Sequence, residues 1–395
     1  MIASSLDRLL GFESAWVGQL RPQGKSRDTR VSKDLNTLSS NLLGDRQARV
    51  LRAVVAAYVG GAAPVGSSTI SNLLATPLSS ASIRNTMSEL AAFGLIEKPH
   101  SSAGRIPTEM GLRLFVDHLL QPREVAAEQR RQLHHSFGNT DIDGAMHAVS
   151  QFLSDNTRQL GFVLMPKLER VRLQHISFIR LSTERLLVVL VTRSGRTFHR
   201  EMDDRESGAQ LELDRIATLL NQRIAGRTLT EVREAMAEEA LGLRNQAGSL
   251  LARAVNLGQR GLELAGDVAE PMDLVVATRL ALLDQPEFND TERLRDLFAA
   301  MEDNERLMSL MGGLLESDRP SVAIGDELEA PGLRHCALVS APYRAHDADI
   351  GAQGLVGVIG PSRMDYPRII PLVSYCSQLV AEKFNENVTN EEMNR

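Results

Sequence analysis

Between Asp45 and Leu120 the chain is broken so often that only short elements fit. DRQARVLRAVVAAYV puts Val50, Leu51, Val54, Val55 and Tyr58 on one helical stripe with Asp45 at the capping position, and Gly60, Gly61 and Pro64 stop it. Ser67 opens a shorter helix, SSTISNLL, with Ile70, Leu73 and Leu74 inward, and ATPL breaks the chain again. SSASIRNTMSELAAFG supplies a third helix ending at Gly94. LIEK and RIPT then read as two short strands around the loop in PHSSAGRIPTEMG, and EMGLRLFVDHLL closes the unit as a further helix. Helix, helix, turn, helix, hairpin is the order of a winged helix-turn-helix, and it makes the Ser/Gly/Arg loop the wing.

The third helix carries the candidate chemistry. Ile83, Met87 and Leu90 recur at core spacing, which leaves Ala81, Arg84, Asn85 and Ser88 facing outward. Arg pairs bidentately with guanine and Asn with adenine in the major groove, while Ser serves base or phosphate. Ser80 and Ser82, at the start of the same helix, complete the candidate set there. Every surface helix has a polar face. Here the short helix before it and the hairpin after it present that face to a groove. In the wing, Ser101, Ser102 and Arg105 are short donors and a long cation able to reach phosphate or the minor groove, His100 adds a contact near the backbone, and Gly104 supplies a turn conformation.

Composition limits the alternatives. At 395 residues several domains are expected, and 4% aromatic residues argue against a base-stacking single-strand binder. The net charge of −6 leaves room for a local basic face. Cys336 and Cys376 lie outside any CxxC or His cluster, so no metal, disulfide framework or cofactor is expected, and a reduced cytoplasmic setting is. LLVVLV (186–191) is far too short to span a bilayer, and the N-terminus lacks the features of a secretion signal, so no membrane partner is expected. His134, His135, His175, His199 and His335 are scattered, with neither HExxH nor GxSxG in the chain, which argues against an enzyme. Gly354, Gly357 and Gly360 match neither dinucleotide nor P-loop spacing and read as a strand ending in a Gly-Pro turn, with Arg363 and Asp365 tying that turn to the helix from Tyr366.

The segment before residue 44, with its basic stretch RPQGKSRDTRVSK, reads as a flexible arm, solvated or laid on DNA phosphate. Downstream, LQHISFIRLSTERLLVVLVTRSGRTFHREM holds β-rich runs, joined at STER and turning at SGR. A helical pattern follows, with Leu213, Ile216, Leu220 and Ile224 at helix spacing and a capping box at Thr228 and Glu231. HCALVSAPY and GLVGVIG return to strands. A helical block between two β-rich blocks predicts an α+β fold in which one domain is interrupted by another. The borders predicted are 1–43 for the extension, 44–121 for the winged helix, 122–204 and 319–387 for the two parts of the interrupted domain, 205–318 for the insertion and 388–395 for a flexible tail.

PVGSSTIS, SSASIRNTMSELAAFGLIEKPHSSAGRIPTEMGLRLFVDHLL and GVIGPSRMDYPRIIPLV, with LERVRLQHISFIRL and LLDQPEFND, together resemble the heat-inducible transcription repressors of the chaperonin operons. The resemblance runs in order from about Asp45 to about Ala381. It implies a winged-helix reader of double-stranded DNA, a GAF-like α+β domain and an inserted dimerisation domain. It further implies a homodimer on an inverted-repeat operator, with the chaperonin as modulator. The extension before residue 44 lies outside the resemblance, and YVGGAAPVG is more apolar and glycine-rich than the family's charged loop. Two other readings remain at this stage: a winged-helix regulator whose GAF-like domain senses a small effector, and a scaffold using the winged helix for protein contact.

Overall fold

The structure, a computed structural model, describes residues 43–100, 103–137, 140–165, 172–193, 195–204, 208–242, 250–267, 274–277, 285–302, 311, 313–315, 317–344 and 353–392. Its first unit contains α1 (Asp45–Gly61), α2 (Ser67–Leu73) and α3 (Ser80–Ala92), then an antiparallel pair, β1 (Ile96–Glu97) and β2 (Ile106–Pro107), and α4 (Glu109–Leu114), which continues as a π turn over Phe115–Leu119. The stripe expected on α1 is realised, with Val50, Leu51, Val54 and Val55 buried. Asp45 is the first helical residue rather than the cap; the Gly44 N–H instead donates to Gln47 Oε1 at 3.0 Å. Leu73, expected inward, is 53% exposed, because α2 is so short that Ile70 is its buried anchor. Ser79 caps α3 by accepting from the Ser82 N–H at 3.2 Å, and Gly94 ends the turn after it at φ +71°.

The next elements are α5 (Ala127–Phe137), α6 (Ile142–Thr157) and β3 (Leu160–Leu164). β4 (Leu173–Arg180), β5 (Arg185–Thr192) and β6 (Thr197–Asp203) follow, then α7 (Gln210–Ile224), α8 (Leu229–Gly242) and α9 (Leu250–Asp267). The remainder comprises β7 (Leu274–Val276), α10 (Thr291–Glu302), β8 (Ser321–Ile324), β9 (Cys336–Arg344), β10 (Gln353–Pro361) and α11 (Tyr366–Glu392), with 3₁₀ turns at Pro286–Asn289, Gly325–Leu328 and Pro331–Leu333.

Two further sheets result. One is five-stranded and antiparallel in the order β7-β3-β10-β9-β8; the other is three-stranded, β4-β5-β6. The sequence reading grouped the strands over 173–203 with the interrupted domain. In the structure they form their own sheet and share a core with α7–α9, in which Ile176, Phe178, Val188, Leu220 and Leu257 are buried together. β3 and β7 flank this block and pair with each other, Leu164 opposite Leu274. The alternation of a strand shows which of its faces is buried but does not name the sheet it joins. β7 itself falls in a stretch read as helical.

The core of the five-stranded sheet continues into the first unit: Val54, Ile83 and Leu90 belong to one buried cluster with Val149, Val339, Tyr366 and Val373. The turn after β10 also departs from expectation. Arg363 reaches away from α11, donating to Glu287 Oε2 at 2.9 Å, Gln285 Oε1 at 2.8 Å and the Val59 carbonyl at 3.3 Å. Asp365 does meet α11, its carbonyl accepting from the Arg368 and Ile369 N–H groups, while its carboxylate faces Arg123 at 3.6 Å.

Candidate nucleic-acid interface

α3 presents two unlike faces. Ile83 and Leu90 are fully buried, Thr86 and Met87 lie beside them, and Ser80, Ala81, Arg84, Asn85 and Ser88 are exposed. The outward row therefore has one cation, one amide and hydroxyls, with no carboxylate among them. Ser82 is half-buried on the same side as Thr86, whose hydroxyl donates to the Ser82 carbonyl at 3.0 Å, so it stands off the row. The Ser88 hydroxyl donates to the Arg84 carbonyl at 3.0 Å, and Arg84 Nε lies 3.5 Å from Ser67 Oγ at the start of α2.

The loop residues divide. His100 is exposed and Arg105 half-buried, while Ser101 and Ser102 lie outside the described residues. Arg105 pairs through its backbone with Val65, by N–H···O bonds of 2.9 and 2.8 Å in the two directions, which ties the end of the hairpin loop to the turn before α2. A Cβ on Gly104 would lie 2.5 Å from the Val65 carbonyl oxygen, so glycine is what permits that approach.

Three supporting groups escaped the sequence reading. Ser79 could have been found from its place before a helix of apolar period. Ser67 and Glu89 could not. The Glu89 carboxylate accepts from Gln47 Nε2 at 2.6 Å and pairs with Arg46 at 3.1 Å, fastening the second half of α3 to the first turn of α1. The pair is open to solvent at 48% and 38% exposure, so it contributes orientation more than stability.

The family described as HrcA protein C terminal domain matches residues 143–370. A heat-inducible transcription repressor HrcA from Syntrophobacter fumaroxidans is 35% identical over 347 residues, covering 87% of this chain and 98% of the relative. The chain belongs to the HrcA family of heat-inducible transcription repressors. A second HrcA, from the Hildenborough strain of Nitratidesulfovibrio vulgaris, is 36% identical over 357 residues, covering 87% of this chain and 98% of its own length. The crystal structure of a hypothetical protein superposes with a TM-score of 0.59 at 23% identity over 87% of this chain and 99% of its own, a likeness of fold. HrcA is a repressor family and not an enzyme family. Among the described residues no helix is long and apolar enough to cross a membrane.

Proposed function

We propose that residues 44–121 form a winged helix-turn-helix whose α3 enters the major groove of operator DNA. The observation that carries this reading is the two-faced character of α3, packed at Ile83 and Leu90 and open at Arg84, Asn85 and Ser88. Arg84 and Asn85 read bases, Ser80, Ser82 and Ser88 contact base or phosphate, and His100, Ser101, Ser102 and Arg105 hold the backbone from the wing. Ser82 is the weakest member, since it stands off the outward row.

The five-stranded sheet with α6 and α11 is the GAF-like domain, and the block over 172–267 is the inserted domain through which two chains dimerise on an inverted repeat. Strand β5 supports that role. It is apolar on both faces: its outward residues are Leu187, Val189 and Val191, and Leu187 pairs with Ile179, which is 44% exposed. Two-fold symmetry of such a dimer maps onto that of the operator. The repressor acts in the cytoplasm, and the chaperonin modulates it. Close packing against both faces of β10 favours a protein signal over a small effector: on one face a Cβ on Gly354 would meet the Tyr343 ring at 2.2 Å, and on the other a Cβ on Gly357 would meet the Phe162 ring at 2.5 Å.

The test is a titration of the purified protein against a duplex carrying the inverted repeat and a scrambled one, with and without chaperonin. The expected preference is about a thousandfold, strengthened by chaperonin. Equal binding of both duplexes by folded protein would overturn the reading. Loss of preference on adding a small apolar metabolite, with chaperonin inert, would move the signal to the GAF-like domain.

A further inference from the structure

The unit that holds α3 is clamped to the sheet by charged side chains as well as by the shared core. Arg113 on α4 is 4% exposed. Its Nε donates to Glu327 Oε1 at 2.8 Å and its Nη2 to Glu327 Oε2, so the guanidinium fork meets a carboxylate 214 residues away. Nη2 also donates to the Val322 carbonyl at 2.7 Å, and Nη1 faces Asp117 Oδ1 at 3.3 Å. Glu327 is held from behind by the Ile324 N–H at 3.0 Å. One turn back on α4, Glu109 sits against Gly325, where φ is +56° and a Cβ would lie 2.1 Å from the carboxylate, and it accepts from the Asp326 N–H at 3.3 Å. Two side chains of α4 thus grip neighbouring points of the turn after β8. Arg363 grips the other end of the unit at the Val59 carbonyl.

Apolar contact would hold these surfaces together just as firmly. Arg113 is buried while the Glu327 side chain is 37% exposed, and such a pair adds little net stability over apolar contact, because desolvation of the arginine offsets an attraction that solvent weakens. What a planar fork against a planar carboxylate adds is direction. Direction matters here because a dimer reads two half-sites at a fixed separation along the duplex, so each α3 must leave its chain at a fixed angle.

We propose that Arg113 and Glu327 are positioning residues for operator binding: the fork between them sets the angle at which each chain carries α3, and hence the half-site spacing the dimer accepts. This rests on the inverted-repeat reading above. The test uses the full chain and the variants Arg113→Lys, which keeps the charge and loses the fork, and Glu327→Gln, which keeps the shape and loses the charge. Each is titrated against a single half-site, the inverted repeat, and repeats with one or two base pairs added or removed between half-sites. The expected result is half-site affinity equal to that of the unaltered protein, affinity for the natural repeat lower by about tenfold, and a broadened spacing preference. If Arg113→Lys fails to fold, Glu327→Gln carries the same measurement alone. A folded variant with the spacing profile of the unaltered protein overturns the proposal, and so does equal loss on half-site and full repeat, which would make the fork mere support for the fold. If the unaltered protein itself binds the repeat no better than one half-site, the dimeric reading fails first and this one with it.

Discussion

The helical unit over 45–119 merges its core with the five-stranded sheet, whereas the block over 172–267 keeps a core of its own. Leu90 and Val54 are packed in one cluster with Val339 and Tyr366, while Ile176 and Leu220 belong to a cluster confined to β4–β6 and α7–α9. The merged unit is joined to its support by the buried Arg113 and the half-buried Arg363 as well; between the separate block and the sheet domain the structure places an ion pair, Arg196 with Asp143 at 3.2 Å. Merging fixes where a reading face points. Separation lets a block hold its own fold wherever it is carried. On the reading proposed above, in which two helices are presented at a set distance, the reader needs the first arrangement.

Cavity mutants give the largest test of that contrast. Leu220→Ala and Leu90→Ala each remove a side chain that is at most 1% exposed and should cost about 2–5 kcal/mol. Hydrogen exchange should separate them: Leu220→Ala loosens β4–β6 and α7–α9 and leaves α1–α4 protected, while Leu90→Ala loosens α1–α4 together with α6 and α11. Equal loss of protection in all of these elements from either mutant would erase the distinction.

Arg84→Ala should next separate reading from folding. It should lower the preference for operator over random duplex by about 1–3 kcal/mol with the melting temperature unchanged, since the side chain is exposed. An unchanged preference would move the reading face elsewhere. Ser79→Ala removes the cap of α3 and should cost about 1 kcal/mol in chemical denaturation, felt in the merged unit.

The smallest effect is in pH. Burial pushes the Cys336 thiol up to about 12 and raises that of Cys376 as well, one in each of the clusters that flank the five-stranded sheet. Folded thiols then keep their protons while unfolded ones ionise from about pH 9. Their contribution is whole below that pH and declines as pH rises toward 12, by about 1 kcal/mol per thiol near pH 10. Urea midpoints from pH 8 to 10 should fall less steeply in Cys336→Ala, and a parallel slope would show that the thiol stays exposed to water.

Much of the local structure was legible because it depends on neighbours along the chain. The breaks at Ser67 and Gly94 opened and ended helices where expected, α1 ran on through Gly60 to stop at Gly61, and the capping box formed, with the Thr228 N–H donating to Glu231 at 2.8 Å and the Glu231 N–H to Thr228 Oγ1 at 3.3 Å. The outward row of α3 followed from helical period in the same way. What was not legible depends on pairing across space. Nothing near Arg113 names Glu327, nothing in PSRMDY names Glu287 or Val59, and LLVVLV would read the same in either sheet.

The ladder between β3 and β7 has a consequence for how such a molecule changes over generations. The chain leaves the sheet at Leu164 and comes back at Leu274 directly opposite, so everything between them occupies the place of a hairpin turn. Closing a loop costs free energy that grows only with the logarithm of its length. That site can accept a lobe, enlarge it or exchange it for another while the sheet beside it goes on folding unaltered. The block over 172–267 is thereby free to diversify, while the unit over 45–119, sharing its interior with the sheet, must change in step with it.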